Sequence, residues 1–278
     1  MKIDKHLILA AIGSLAFGIT VNASPKAIFV NCSQSSDAGK KIFSNSAKSL
    51  EQFYKNGNRY ASIGINISDD DAGTNLICRY AVSREVVKAE PFEDSLKIYA
   101  KQPKGTKLRI YYLRKTKADR NLKVGGWYAM FDSLIRKYKL DPKLITVFPG
   151  AEFKLAQHFH QALPDYKVGI NWCHFLHSEE RDKLAEEIVK SGIISEVSLD
   201  WSNLFDAALE PSTIEIFQKG GIFVNVGHIN LHDDNEIESA LKIWPDQITV
   251  YKGVTPADFI KGPIGKKFAK QYKLKPIK

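Results

Sequence analysis

The stretch Ile63-Gly64-Ile65-Asn66-Ile67 sets isoleucines at every second position, with Gly64 and Asn66 between them. A period of two predicts a β-strand with two different faces, and we extend this strand over residues 60–67. If the strand belongs to a barrel, Gly64 and Asn66 are the residues that face its interior. Neither side chain carries a charge, so neither can hold a cation by charge.

The residues that follow predict a hairpin. Asp69-Asp70-Asp71-Ala72-Gly73 is typical of a turn, and residues 75–80 then form a second strand that returns beside the first. We expect the three aspartates to form a solvated turn, because adjacent side chains point in different directions. This hairpin interrupts an otherwise regular alternation of strands and helices.

Eight strands remain when the return strand of the hairpin is set aside, and most of them precede a helix. They cover residues 27–31, 60–67, 107–114, 144–148, 167–172, 194–199, 221–226 and 247–251. Short apolar strands of this kind suit a parallel sheet that is buried on both faces. The fold class predicted is α/β, a TIM (β/α)8 barrel with an extra hairpin strand after the second barrel strand. The main alternative, a doubly wound open sheet, lacks the Gly-rich phosphate loop that should follow the first strand.

The first residues predict a secretory signal peptide. Lys2 and Lys5 precede an apolar run from Leu7 to Val21, and small residues surround a cut after Ala23. The predicted divisions are a signal peptide (residues 1–23), a barrel (24–260) and a basic C-terminal tail (261–278). The expected location is secreted or periplasmic, with no transmembrane segment in the mature chain. An uncleaved anchor helix is the alternative.

The chain is basic, with 40 Lys and Arg against 31 Asp and Glu, a formal net charge of +9. Residues 261–278 contain seven lysines and no acid. This composition is typical of contact with an anionic surface, or of a solvated tail that favours solubility. Nucleic acid is not expected as a partner, since no basic–aromatic motif is present.

Three cysteines, Cys32, Cys78 and Cys173, are too few for a disulfide framework. Two of them could form a disulfide bond in an oxidising compartment. The alternative is that all three are buried free thiols.

Several of these segments resemble the glycerophosphodiester phosphodiesterase family of phospholipase-C-like barrels. The turn Asp70-Asp71-Ala72-Gly73 and the helix opening Pro91-Phe92-Glu93-Asp94-Ser95-Leu96 have family counterparts in order and spacing. The first family strand ends in His-Arg-Gly, where this chain has Asn31-Cys32-Ser33. The second carries Glu-x-Asp, where this chain has Gly64-Ile65-Asn66. The return strand ends in His-Asp in the family and in Arg79-Tyr80 here.

In that family, two histidines act as acid and base around a divalent cation held by carboxylates. Here the histidines and the early carboxylates are replaced together. The resemblance therefore implies a relative that has lost metal-dependent hydrolysis, with no metal and no cofactor. It implies binding of a phosphorylated or anionic small molecule, a lipid headgroup or a partner instead.

Ligand sites of barrels lie at the C-terminal strand ends. The ligand-binding residues predicted at this mouth mix cations, amides and aromatic rings: Asn31, Asn66, Arg79, Tyr112, Arg114, Trp172, Asp200, His228 and Lys252. Such a set suits a phosphate or carboxylate without a metal. The alternative is that these side chains fill the mouth and have a partly structural role, with Arg79 or Arg114 forming an ion pair with Asp200.

Two further functions stay open. An active phosphodiesterase with a rearranged site would use His174, Asp200 and His228, with Mg²⁺ or Ca²⁺ as cofactor. A surface protein would act through residues 261–278. The His174-x-x-His177 spacing lacks the helical form of a zinc motif, and we expect ordinary loop groups there.

Overall fold

The eight long parallel strands found among the described residues follow the order of a barrel. The computed structural model describes residues 27–33, 47, 50, 51, 55, 62–70, 72–78, 81–82, 85–86, 90–102, 105, 107–113, 126–172, 178–200, 211–230, 233–251 and 256–276. The strands are β1 (Phe29–Ser33), β2 (Ser62–Asp69), β3 (Leu76–Cys78), β4 (Ala81–Val82), β5 (Glu85–Val86), β6 (Glu90–Pro91), β7 (Lys107–Tyr112), β8 (Ile145–Phe148), β9 (Lys167–Trp172), β10 (Ile194–Asp200), β11 (Phe223–Asn230), β12 (Gln247–Tyr251) and β13 (Lys275–Pro276).

Strand β1 pairs in parallel with the last long strand, β12, and every other pairing between long strands joins two that are consecutive in the chain. The order is β1-β12-β11-β10-β9-β8-β7-β2, which is the strand order of a TIM barrel. Strands β1 and β2 approach within 8 Å at their Cα atoms, and no ladder joins them in the described part of the chain. The predicted α/β barrel is confirmed.

The predicted hairpin is also present. Strand β3 runs antiparallel to β2, and β6 then pairs with β3. The side chain of Asp70 closes the turn, because Oδ1 accepts from the backbone of Thr74 at 2.7 Å and Oδ2 accepts from Asn75 at 2.9 Å. These hydrogen bonds hold the pKa of Asp70 well below its ordinary value, with the bond from Asn75 as the largest cause. Asp70 therefore has a structural role in the turn, as expected.

The helices cover the outside of the strands: α1 (Phe92–Tyr99), α2 (Tyr128–Lys137), α3 (Phe153–Ala162), α4 (Ser178–Ser191), α5 (Pro211–Lys219), α6 (Asp234–Lys242), α7 (Pro256–Lys261) and α8 (Pro263–Tyr272). Their apolar residues recur at helical spacing and face the sheet. Phe92 and Leu96 of α1, and Phe131 and Ile135 of α2, have no exposed surface. No helix in the described ranges is long and apolar enough to cross a bilayer.

The faces of β2 are divided as the sequence predicts. Ile63, Ile65 and Ile67 are buried under the helix layer, whereas Gly64 is exposed and Asn66 is half-buried on the opposite face. Burial of the three isoleucines stabilises the strand by about 2 kcal/mol each, which fixes its register against a one-residue slip.

The segment predicted as a basic tail is folded where the structure describes it. Helix α8 packs through Phe268 and Tyr272, each 3% exposed. Strand β13 then pairs with β1, with Lys275 opposite Phe29. Strand β12 pairs with one edge of β1, and β13 pairs with the other edge. In a closed eight-stranded barrel, this second edge of β1 would pair with β2.

Cys78 is a free, buried thiol whose sulfur lies 3.3 Å from the hydroxyl of Ser95. Burial raises its pKa to about 12, so the thiol stays protonated. Cys173 lies outside the described residues, and nothing is described of the Cys32 side chain.

Candidate functional site

A tyrosine ring faces Gly64 inside the barrel. Tyr111 on β7 is the register partner of Asn66 on β2, and register partners of a parallel pair share a face. A Cβ atom placed on Gly64 would lie 3.3 Å from Cε2 of Tyr111. A side chain at position 64 would therefore contact this ring, and the ring would have to shift by a few tenths of an ångström.

The same ring belongs to a stack that crosses neighbouring strands. Tyr111 stacks on Phe148 of β8, with ring centroids 4.4 Å apart and planes 16° from parallel. Phe148 lies against Gly169 of β9, where an added Cβ would come within 2.3 Å of its ring. Glycines at 64 and 169 thus leave room for two aromatic rings, of which Phe148 is fully buried and Tyr111 is half-buried.

Amide and hydroxyl groups occupy the interior on the other side of the barrel. Oδ1 of Asn225 accepts hydrogen bonds from Gln247 Nε2 and Thr249 Oγ1, each at 2.8 Å. Asn225 Nδ2 also donates to Ser198 at 3.4 Å. Asn225 and Gln247 are almost fully buried. The network is neutral, and it satisfies the amide nitrogen of Gln247 but leaves the buried Gln247 Oε1 without a hydrogen-bond partner among the described residues.

One ion pair lies inside the barrel, towards the N-terminal ends of the strands. Arg109 Nε is 2.8 Å from Glu196 Oε1, and the side chains are only 8% and 9% exposed. Burial raises the pKa of Glu196, while Arg109, Lys107 and Lys167 act in the opposite direction. Since Glu196 is bound to Arg109, this acid is committed to a structural pair.

Strand β11 carries an irregularity at its C-terminal end. Its register against β12 shifts between Val226 and Ile229, so one extra residue is inserted around Gly227 and His228. Gly227 is the register partner of Asp200 on β10. Bulges of this type occur beside ligand sites, where they change the direction of a side chain.

The structure places the predicted ligand residues unevenly. Asn66 lies half-buried on the interior face. Asn31, Asp200 and His228 lie on strands, but their side chains are not described. Three predicted ligand residues, Arg79, Arg114 and Lys252, lie outside the described ranges, as does His174, which is predicted to act only in the active alternative.

Tyr112 and Trp172 are predicted to bind a ligand at the mouth, but their side chains point away from the barrel interior, and this corrects the prediction. Tyr112 is the register partner of fully buried Ile67, and its ring stacks on Trp127 beside α2 at 4.4 Å. Its hydroxyl donates to Asp69 at 3.0 Å. Trp172 is 2% exposed and meets Phe217 of α5 edge-on at 4.9 Å. Both rings lie in the layer between strands and helices, because their strands place every second residue there.

Sequence reasoning missed the interior residues Arg109, Tyr111, Phe148, Glu196 and Asn225. The signal for two of them was present, since Leu108 and Ile110 are apolar and set the phase of β7, which turns Arg109 and Tyr111 inward. The meeting of Tyr111 with Phe148 depends on strand pairing, which the sequence does not contain locally.

The positions discussed on β2 do not fit a divalent cation. Mg²⁺ and Ca²⁺ require several oxygen ligands, most of them carboxylates. Gly64 offers none, Asn66 offers one neutral amide, and the ring of Tyr111 occupies the adjacent space. Within the described ranges, no group of three or more His, Cys, Asp and Glu residues is placed to hold a metal ion.

Comparison with solved structures identifies the fold. A protein from Silicibacter pomeroyi assigned as a glycerophosphoryl diester phosphodiesterase superposes with a TM-score of 0.65 over 85% of this chain and 94% of its own, at 10% identity. A second, from Agrobacterium tumefaciens and assigned in the same way, gives a TM-score of 0.59 over 81% and 93%, at 7% identity.

The chain has the glycerophosphoryl diester phosphodiesterase-like fold. No family model and no curated protein matches the sequence. At 10% and 7% identity the two likenesses establish the fold alone. Function therefore has to be argued from the side chains of this barrel.

Proposed function

We propose that this phosphodiesterase-like barrel has lost metal-dependent hydrolysis and binds a phosphorylated or anionic small molecule at its mouth. The observation that supports the proposal is the contact between Tyr111 and the space beside Gly64. On the second strand, the place of a metal-holding carboxylate is taken by a glycine, and an aromatic ring fills the adjoining volume. A phosphodiesterase with this arrangement would lack the charge that stabilises its transition state.

On β2 and β7, the interior positions Gly64, Asn66 and Tyr111 are uncharged, whereas Lys107 and Arg109 of β7 lie towards the end opposite the mouth. Gly64 is exposed, and Asn66 and Tyr111 are half-buried. An amide and a phenol can hydrogen-bond to phosphate or carboxylate oxygens without a metal. The cationic groups of the proposed site are Arg79, Arg114 and Lys252, which the sequence places at strand ends.

The proposal is tested by measuring turnover and binding on the same protein. We expect no hydrolysis of glycerophosphodiesters with EDTA, Mg²⁺ or Ca²⁺. Isothermal titration with glycerol 3-phosphate and with inorganic phosphate should show binding that is unchanged by EDTA. Asn66→Ala should weaken it, whereas Gln157→Ala on the outer helix α3 should not. Metal-stimulated turnover would overturn the first part of the proposal, and absence of binding by both probes would overturn the second.

A reconstruction variant tests the role of Tyr111 directly. Gly64→Glu with Asn66→Asp restores the Glu-x-Asp pattern, yet we expect poor Mg²⁺ binding because the ring stands in the way. Adding Tyr111→Ala should improve that binding. Equal metal affinity in the double and triple variants would show that the ring does not exclude the cation.

An active enzyme with a rearranged site is the second candidate function. One observation favours it: the β10–β11 register puts Asp200 beside Gly227, and His228 follows in the bulge. An imidazole and a carboxylate on adjacent strand ends can form an acid–base pair. Turnover abolished by His228→Ala and retained by His158→Ala, a helix-surface control, would establish this alternative.

A further inference from the structure

The N-terminal ends of the parallel strands share one end of the barrel, opposite the mouth. We call the surface at this end the basal face, and define it by the residues that begin strands β1, β7, β9 and β13. Three of these residues are exposed lysines: Lys107, Lys167 and Lys275. None of the three forms an ion pair with another described residue. Lys107 begins β7 and Lys167 begins β9, and only β8 lies between these strands, so the two lysines lie beside the same part of the opening.

The last turns of the outer helices add charge at the same end. Helices of a βα barrel run opposite to the strands, so their C-termini lie at the basal face. Lys190 of α4, Lys270 of α8 and Lys273 after α8 are there and are exposed. Attraction to the helix dipole accounts for lysines at helix ends. It does not account for the lysines that begin strands.

Some basic residues at this end are neutralised locally and do not contribute. Lys137 pairs with Glu93 at 2.6 Å, Lys219 with Glu215 at 2.8 Å and Lys242 with Glu238 at 3.2 Å. Two exposed acids, Asp141 and Asp165, lie in the turns before β8 and β9 and offset part of the remaining lysine charge, and the net charge of this face stays positive.

An exposed phenylalanine lies among these lysines. Phe29 begins β1 and is 38% exposed, the one large apolar side chain so exposed among those the structure describes. Its register partner on β13 is Lys275. An aromatic ring beside ammonium groups is the combination found where proteins sit in the interface of an anionic bilayer.

The chain also enters the barrel at this face. Residues 7–21 are apolar and end only a few residues before Ala27, which leads into β1. While that segment is attached and held by a membrane, the basal face is the part of the barrel nearest the lipid.

From these observations we infer that the basal face binds the surface of an anionic phospholipid membrane, with Phe29 in the interface and the barrel mouth turned to the solution. The lysines supply attraction to the headgroups, at roughly a fivefold gain in affinity for each lysine near the surface. The inference is independent of the proposed function, because no residue of the mouth takes part.

The test is co-sedimentation with vesicles of phosphatidylcholine, with and without phosphatidylglycerol. The gene is expressed with its own N-terminal segment, and mass spectrometry records where the purified protein begins. We expect binding to the anionic vesicles to exceed binding to neutral ones and to fall at about 0.5 M salt. Lys167→Glu with Lys275→Glu should weaken it by at least roughly tenfold. Phe29→Ser should weaken it further without removing the salt dependence.

A matched control changes the same charge elsewhere. Lys154→Glu with Lys183→Glu changes two exposed lysines in the first halves of α3 and α4, away from the basal face, and Lys154 also pairs with Glu152 at 2.8 Å. We expect this pair to bind anionic vesicles nearly as well as the unaltered protein, with circular dichroism showing that both pairs are folded. Equal losses of vesicle binding in the two double variants would overturn the inference. Binding of the unaltered protein to heparin or DNA without binding to vesicles would also overturn it.

Discussion

Tyr111 and Phe148 stack nearly parallel inside the barrel, with 4.4 Å between ring centroids, and each ring lies against an inward-facing glycine of a neighbouring strand. The arrangement is complementary in size, since Gly64 and Gly169 lack the side chains that would otherwise fill this space. Packing of this density leaves little freedom for added atoms. It stabilises this quarter of the barrel, and it brings the ring of Tyr111 into contact with any side chain placed at position 64.

Gly169→Ala should destabilise the protein by about 1–3 kcal/mol, because its new Cβ would enter the ring of Phe148. Urea denaturation followed by tryptophan fluorescence measures the change. Gly227→Ala is the control, since a Cβ there has no neighbour closer than 3.7 Å. Equal stability of the two variants would contradict the packing described here.

Arg109→Met should destabilise the barrel by about 3–5 kcal/mol at neutral pH, because it leaves Glu196 buried without its partner. The pKa of Glu196, already raised by burial, should rise further. A raised carboxyl pKa means that the folded state holds the proton longer than the unfolded state. Stability of the variant should thus be highest at acidic pH and fall as the pH rises from the unfolded to the folded pKa of Glu196.

Urea titrations across a pH series measure this dependence. Adding Glu196→Gln should remove most of the pH dependence, since the variant then has no carboxyl group at that site. If the stability of Arg109→Met alone does not change with pH above the ordinary pKa range of glutamate, Arg109 does not control the ionisation of Glu196.

Asp70→Ala should destabilise the hairpin, because Thr74 and Asn75 lose a shared acceptor. The lowered pKa of Asp70 means that its contribution is present above its ordinary pKa and is lost as the pH falls towards the folded pKa. The difference in unfolding free energy between the variant and the unaltered protein should therefore shrink in acid. Asp165→Ala, an exposed aspartate in another turn, is the control, and an equal effect there would contradict this role.

Cys78 should resist alkylation in the folded protein. Its thiol is buried beside Ser95 and its pKa is raised to about 12, so little thiolate forms near pH 8. Iodoacetamide followed by peptide mass spectrometry should show Cys78 unmodified in native buffer and modified in urea. Rapid modification of Cys78 in native buffer would show that it is accessible.

The sequence predicts the features that depend on local pattern. Alternation around Ile65 gives the faces of β2, and the run that begins at Asp69 gives the hairpin. The order and length of the strands are then enough to predict the barrel, because few topologies fit eight successive βα units.

Features that depend on distant pairing could not be predicted in this way. The directions of Tyr112 and Trp172 are not among these features, because Ile110 and Ile170 set the phase that turns both rings towards the helices, on the side of buried Ile67 and Leu199. The pair Arg109–Glu196 joins strands β7 and β10, with two others between them. Its members give no sign in the sequence that they meet.

The pairing of β13 with β1 joins Phe29 to Lys275 across almost the whole length of the chain. A ribosome completes β1 long before it makes β13, so the outer edge of β1 stays uncovered in the meantime. Folding of this barrel must then wait until residue 276 has been made, and until that moment the nascent chain offers an open strand edge to chaperones or to other copies of itself.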